Sequence, residues 1–300
     1  MQLSGTLSTY NPQTRLTMFE SGPQNSRGSV VFVAGLMDGY NALPYLPLLG
    51  KYLEEQLGFS LIQVMLTSSH MGYGISSLQE DVKELDILFT FLREERAKAR
   101  LFFIGHSTGC QDAISFASHG RNRAAVQGIV LQGPVSDREF MMSSLDEMYG
   151  KYVRLAQRMI NDGKGQELMV REVDIAPVSA YRFNSLASIG GDDDMFSSDI
   201  PFESMQALFG QVTTPLIMVH SGKDEYIPAH INKESLISNL TNASPSSLGA
   251  VVLPEADHAI SDLASQTIFC DTVIQFIQKV LYTLAQEEKA QEQALGGLSL

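Results

Sequence analysis

The stretch RLFFIGHSTGCQD, residues 100–112, decides how the rest of the chain is read. Leu101 to Ile104 is a short unbroken apolar run, the pattern of a strand buried on both faces of a parallel sheet. The run stops at Gly105-His106-Ser107-Thr108-Gly109, and the segment after it has amphipathic, helical spacing. A strand that enters a helix through so short a turn holds its central side chain on an exposed, strained apex, and the flanking glycines keep Cβ atoms out of the bend. Ser107 is therefore a candidate nucleophile. The turn also aims the first amides of the next helix at the space beside the hydroxyl, where an oxyanion would form. The competing reading is a tight turn that happens to contain a serine. The strand before it and the helix after it favour the nucleophile.

Outward from that turn the chain keeps one rhythm. Residues 1–20 predict one or two short strands, Leu7 to Tyr10 and Leu16 to Phe19, parted by Asn11-Pro12. Val30 to Ala34 and Phe59 to Leu66 predict buried strands, with a helix from Pro44 to Leu57 between them. Ser77 and Glu80 have the spacing of a capping box. Val82, Leu85, Leu88, Phe89 and Leu92 then form the apolar stripe of a long helix. After the elbow helix, Val126 to Leu131 is a further strand. Strands and helices alternate, and the strand cores are apolar throughout. The expected class is α/β, a mostly parallel sheet with helices on both faces.

From Ser136 to Gly210 the rhythm breaks. Met141 to Ile160 and Glu167 to Asp174 have helical character, whereas Ala176 to Ile200 carries Pro177, paired glycines and Asp192-Asp193-Asp194. Residues 137–210 are expected to form a cap inserted late in a single domain spanning 1–300, because so short an insertion has little with which to build its own core. The acidic triplet is expected to be a solvated loop, since consecutive carboxylates point apart and do not suit a metal. Pro215 to His220 and Ala250 to Leu253 resume the strands, with a helix from Ile231 to Leu240 between them. A long helix opens at Ser261-Asp262, and Gln291 to Leu300 is expected to be loose.

Composition narrows the partners. The formal charge of −13 argues against nucleic acid and anionic membrane surfaces. No uninterrupted apolar run approaches the eighteen or so residues that span a bilayer, and the N-terminus lacks the basic and apolar regions of a secretory signal. The only two cysteines, Cys110 and Cys270, make no disulfide framework, so a reducing, cytoplasmic compartment is expected. Cys110 reads as a small buried residue. Nothing in the sequence specifies the oligomeric state.

A serine nucleophile needs a base to take its proton and an acid to orient and charge-compensate the imidazolium. In an open α/β sheet these must come from loops at the carboxyl ends of different strands. Asp224 follows one late strand and His258 the next, giving the order serine, acid, histidine. Glu225 is a rival for the acid, and Asp257 a weaker one better suited to loop hydrogen bonding. His70, in a polar loop with Gly72 and Gly74, is the rival histidine and a candidate for substrate contact. His106 adjoins the nucleophile and should face away from it. His220 reads as packed or hydrogen-bonded, and His119 and His230 as helix-terminal or surface residues. Gly35-Leu36-Met37-Asp38-Gly39 follows the Val30 strand, and an amide at Leu36 or Met37 could supply a second oxyanion donor. A plain strand-to-helix loop is the alternative there.

Taken together, GHSTG at 105–109, GKDEYIP at 222–228 and the loop bearing His258 resemble the α/β-hydrolase superfamily over nearly the whole chain. More narrowly, VFVAGLMDGYNALPYLPLL at 31–49, GHSTGCQD at 105–112 and GPVSDRE at 133–139 resemble a fungal group long described as a domain of unknown function, whose members include siderophore esterases. The resemblance implies an α/β-hydrolase fold and a serine hydrolase acting on a small-molecule ester. By position it implies Ser107, Asp224 and His258 as the catalytic residues, with the amides of Thr108 and of Leu36 or Met37 as oxyanion donors. It also puts Asp137 and Arg138 where the cap leaves the sheet, either pairing to fix the cap or touching substrate. One departure is Asp257-His258-Ala259, where a glycine often precedes the histidine. The implied chemistry requires no metal or organic cofactor. Acyl transfer or amide cleavage would use the same three residues, and a non-catalytic ligand-binding protein on this fold is the alternative of a different class.

Overall fold

The apolar run at 101–104 lies in strand β5 (Arg100–His106), whose side chains alternate between two cores. Leu101 and Phe103 pack on one face of the sheet, and Phe102 and Ile104 on the other. This division explains why the run shows no polar alternation, since both faces are covered. The structure is a computed structural model that describes residues 2–296.

The other strands are β1 (Gly5–Asn11), β2 (Leu16–Ser21), β3 (Gly28–Val33), β4 (Ser60–Val64), β6 (Val126–Gln132), β7 (Leu216–Ser221) and β8 (Ser247–Leu253). They form one sheet in the order β1-β2-β4-β3-β5-β6-β7-β8. β1 with β2 and β2 with β4 are antiparallel, and all the remaining pairings are parallel. Helices α1 (Leu46–Leu57), α2 (Leu78–Glu94) and α3 (Gly109–His119) lie between the early strands. Between β6 and β7 come α4 (Asp137–Leu145), α5 (Tyr149–Asn161), α6 (Ala180–Ala187) and α7 (Phe202–Phe209); α8 (Lys233–Ala243) and α9 (Leu263–Gly296) follow.

Helices α1 and α9 cover one face, and α2, α3, α7 and α8 pack on the other. Phe103, Phe89 and Phe116 stack where α2 and α3 meet the elbow strand, all fully buried. Each such ring contributes about 1.5–3 kcal/mol through burial, which anchors the strand that carries Ser107. Ser77 caps α2 as its spacing predicts, accepting from the Glu80 amide at 3.2 Å. Helix α9 is long and apolar enough over Leu263–Ala294, by length and composition alone, to cross a membrane. Its Phe269, Cys270, Val273, Ile274 and Ile277 instead complete the second core.

Several expectations need correction. Glu167 to Asp174 is not a helix: only a 3₁₀ turn forms at Arg171–Val173, and Leu168 bridges to Ser179. The helix of this region is α6, inside the stretch that reads as irregular. Residues 291–296 are not loose but continue α9, while 297–300 lie outside the described residues. The insertion between β6 and β7 does build a small apolar cluster, centred on Phe183, Ala156 and Val178.

Candidate active site

Ser107 stands at the end of β5 with φ +53°, a left-handed conformation that costs a non-glycine residue about 1–2 kcal/mol. Close backbone approaches on both sides hold it there. A Cβ on Gly105 would meet the Gly109 carbonyl oxygen at 2.2 Å, and one on Gly109 would meet the Val33 oxygen at 2.3 Å. The Ser107 amide donates to the Gln132 carbonyl at 3.0 Å, and the Cys110 amide to the Ser107 carbonyl at 2.9 Å. Met37, His70 and Ile260 have φ of 67°, 54° and 53° in neighbouring loops, and strain of this kind collects at functional sites.

The loop after β3 runs against the nucleophile. A methyl group on Gly35 would stand 2.8 Å from Ser107 Cβ and 3.4 Å from its Oγ. The amides of Leu36, Met37 and Thr108 donate to no acceptor among the described residues, so each remains available to an oxyanion. A cavity of about 20 Å³, lined by Gly35, Leu36, Thr108, Ser68, Asp81 and Arg182, lies behind this loop. We expect Gly35→Ala to push the loop off Ser107 and lower kcat by about 10²–10³-fold, the cost of displacing an oxyanion donor. Steady-state kinetics on a chromogenic ester check this, and a variant with wild-type kcat would show that the approach has no catalytic consequence.

Asp224 and His258 meet as their positions after β7 and β8 predict. Asp224 Oδ2 lies 2.8 Å from His258 Nδ1, and both side chains are buried. The second carboxylate oxygen accepts from the Tyr226 amide at 3.0 Å, which fixes its rotation. Glu225 holds the other end of the same histidine, accepting from the His258 amide at 3.0 Å. The two acids thus divide the ring and the backbone between them. Asp257 accepts from the Ser261 amide at 2.7 Å and serves its own loop. His258 Nε2 is buried with no hydrogen-bond partner among the described residues, so it is not bonded to Ser107 Oγ. Such contacts are often long before substrate binds. Tyr226 and His106 flank the imidazole with ring centroids at 4.5 and 4.8 Å.

His106 is buried, its Nδ1 lies 2.5 Å from Gln132 Oε1, and burial together with nearby His258 pushes its pKa down to about 3. Burial lowers His220 to about 4. His119 and His230 are exposed. His70 is also exposed, with its ring over Gly39 and its amide donating to the Asp38 carbonyl at 3.0 Å; it braces the loop that carries Leu36. Asp38 itself, half-buried in that loop, has its carboxyl pKa raised by burial. Cys110 is buried, and its thiol donates to the Gly105 and Gln132 carbonyls at 3.2 and 3.4 Å.

Asp137 and Arg138 do not pair with one another. Asp137 accepts from Gln111 Nε2 at 2.9 Å, while Arg138 Nε lies 3.0 Å from Asp194 and the rest of its guanidinium grips Asp199. The acidic triplet is solvated only at Asp192, which is exposed, and the side chains of its other two members are buried against arginines. Asp193 is buried 2.5 Å from Arg182, Asp194 is buried against Arg138, and Asp192 bonds Tyr181 and Gln79. Arg182, 2% exposed, also donates from Nε to the Tyr73 carbonyl at 3.0 Å, seating the insertion on the body of the sheet.

Around Arg182 the carboxyls of Asp81, Asp112 and Asp137 are all raised, chiefly by burial, with Arg182 pulling the other way; Asp137 is pushed up to about 7. An unfolded chain titrates Asp near 3.9. The fold therefore holds the Asp137 proton more tightly, and the stability this lends is complete below about pH 4 and is lost as pH rises through about 7. Asp137→Asn keeps an oxygen for Gln111 and removes that dependence. Its Tm relative to the wild type is expected to rise by a few degrees between about pH 4 and pH 8. A constant difference in calorimetry across that range would show that Asp137 is not the group responsible.

Strand order, elbow and late insertion define an α/β-hydrolase fold. Over residues 1–278 the chain matches the family described as "Protein of unknown function (DUF1749)", and it belongs to that family. It is 27% identical over 295 residues to Fusarinine C esterase sidJ of Aspergillus fumigatus, covering 78% of this chain and 83% of that protein. It is 26% identical over 264 residues to UPF0613 protein PB24D3.06c of Schizosaccharomyces pombe, covering 80% of this chain and 83% of that one. Among solved structures, the siderophore hydrolase EstB from Aspergillus fumigatus superposes with a TM-score of 0.79 at 26% identity, covering 93% of this chain and 98% of EstB. These similarities support ester-hydrolase activity in general and a small-molecule substrate.

Sequence reasoning missed Gln132, Glu225's grip on the His258 backbone, and Tyr226 beside the imidazole. The first reads only as the polar end of a strand, and the other two sit in a loop where the acid itself drew the attention.

Proposed function

We propose that the protein is a serine esterase that cleaves carboxylic esters through an acyl-enzyme. His258 Nε2 takes the Ser107 proton as Oγ bonds to the ester carbonyl carbon, and Asp224 holds Nδ1–H and balances the imidazolium. The amides of Thr108 and of Leu36 or Met37 receive the oxyanion, each worth about 3–4 kcal/mol at the transition state. As the carbonyl–alkoxide bond breaks, His258 returns the proton to the leaving alcohol. Water then repeats the sequence: His258 takes its proton, the acid is released and Ser107 regains its hydrogen. The observation that carries this reading is the 2.8 Å contact between Asp224 and His258 at the sheet edge that also bears Ser107 in its left-handed turn.

For the substrate we propose esters of hydroxamate siderophores, a reading supported by the similarity to a fusarinine C esterase and a siderophore hydrolase. The insertion at 137–210 would act as the cap over the site, and the two buried thiols suit a cytoplasmic setting. The test is intact-mass labelling with a serine-directed phosphonate, mapped by peptide, followed by an ester panel that includes hydroxamate siderophores. Labelling at Ser107 is the expected result. A folded protein left unlabelled would replace this reading with a non-catalytic binding protein, and a panel cleaved only at simple esters would remove the siderophore assignment.

A further inference from the structure

We infer that Gln132, the last residue of β6, is a positioning residue that holds the nucleophile's turn and the base's loop in one register. The inference rests on the serine esterase reading above. Three of its groups are committed at once. Its carbonyl accepts the Ser107 amide at 3.0 Å. Its side-chain Nε2 donates to the His258 carbonyl at 3.0 Å. Its Oε1 lies 3.0 Å from the Tyr45 hydroxyl and 2.5 Å from His106 Nδ1. Gln132 and Tyr45 are wholly buried, and His106 and His258 are nearly so, so no solvent competes for these bonds.

The chemistry of the partners dictates the arrangement. A backbone carbonyl only accepts, so the amide nitrogen must face His258 and the amide oxygen must face Tyr45 and His106. The oxygen then needs a hydrogen from each, which puts the His106 proton on Nδ1, and burial keeps that ring neutral. That matters because the His106 and His258 rings are 4.8 Å apart. A charged His106 would oppose the imidazolium that forms on His258, and a neutral one does not. The next residue completes the clamp: a Cβ on Gly133 (φ +62°) would press to 3.1 Å from His258 Cε1, so the backbone after the strand runs close against the ring.

The test begins with ¹⁵N-histidine NMR of the wild-type protein, which needs no variant. His106 should read as neutral Nδ1–H from about pH 5 to pH 8. A protonated or Nε2–H His106 would overturn the inference. Gln132→Met, of similar size but unable to make these bonds, should lower kcat by about 10–100-fold per phosphonate-titrated Ser107, with KM within about twofold. Wild-type kcat per titrated site, even with a lowered Tm, would make Gln132 structural only. Gln132→Glu regains the donor when its buried carboxyl is protonated, so its kcat/KM relative to wild type should climb as pH falls from about 8 to 6. A flat ratio would overturn the inference. Failure of the phosphonate to label wild-type protein would remove the esterase reading instead, while the NMR result would still report on the Gln132 bonds.

Discussion

Ser107→Ala, purified in folded form, is expected to lose about four orders of magnitude or more in ester turnover while substrate binding persists. On the acyl-enzyme reading, the Ser107 hydroxyl is the group that bonds to the substrate carbonyl. The turn's geometry depends on Gly105, Gly109 and the Gln132 carbonyl, not on the serine oxygen. Alanine is tolerated in the left-handed region no better than serine, so stability should change little. What survives should be the oxyanion amides acting on attack by water. Single-turnover assays with a chromogenic ester, alongside a thermal melt, separate loss of chemistry from loss of fold. Turnover close to wild type in the alanine variant would sink the acyl-enzyme mechanism.

Asp224→Asn should come next in size, with kcat lower by about 10³–10⁴-fold and the fold intact. The asparagine would keep an oxygen for the Tyr226 amide, where Asp224 Oδ1 now accepts at 3.0 Å. Its amide nitrogen would then face His258 Nδ1, demand the opposite tautomer, and leave the proton on Nε2 where a lone pair is needed. Glu225→Gln is the matched control, because the Glu225 carboxylate's hydrogen bond among the described residues is to the His258 amide, not to the ring. It should lose about tenfold at most, as the amide oxygen can still accept that bond. If the two variants exchanged these outcomes, the acid would be Glu225 and the contact at His258 Nδ1 would be incidental.

The parts of this molecule that were legible in the sequence are those written locally. Leu101 to Ile104 followed by GHSTG encodes a strand, a turn and a helix within thirteen residues. Asp224 and His258 stand just past short apolar runs that form strands, β7 inside the sheet and β8 at its edge. The resemblance of 31–49 and 133–139 to one fungal group extended that reading over the chain. What escaped depends on contacts between distant segments. Ala180–Ala187 contains Arg182, which nothing in its local sequence marks as buried, yet Asp193 and the Tyr73 carbonyl hold it inside. Asp192 to Asp194 looks like a hydrated run, because the two arginines that pair with the buried side chains of Asp193 and Asp194 lie 11 and 56 residues away in sequence. Gln132 looks like punctuation, since its partners come from three other segments: Tyr45, the elbow at 106–110, and His258.

The buried arginines of the insertion have a consequence for anyone who would exchange that segment among relatives. Arg138 and Arg182 draw their ion-pair partners from residues 193, 194 and 199 of the same insertion, so each guanidinium keeps a counter-ion within the transplanted piece. A graft cut between residues 138 and 194 would strand a guanidinium in the interior at a cost of about 3–5 kcal/mol. Moved whole, the segment carries its own counter-ions and meets its host through neutral groups, among them the Tyr73 carbonyl and the side-chain amides of Gln79 and Gln111.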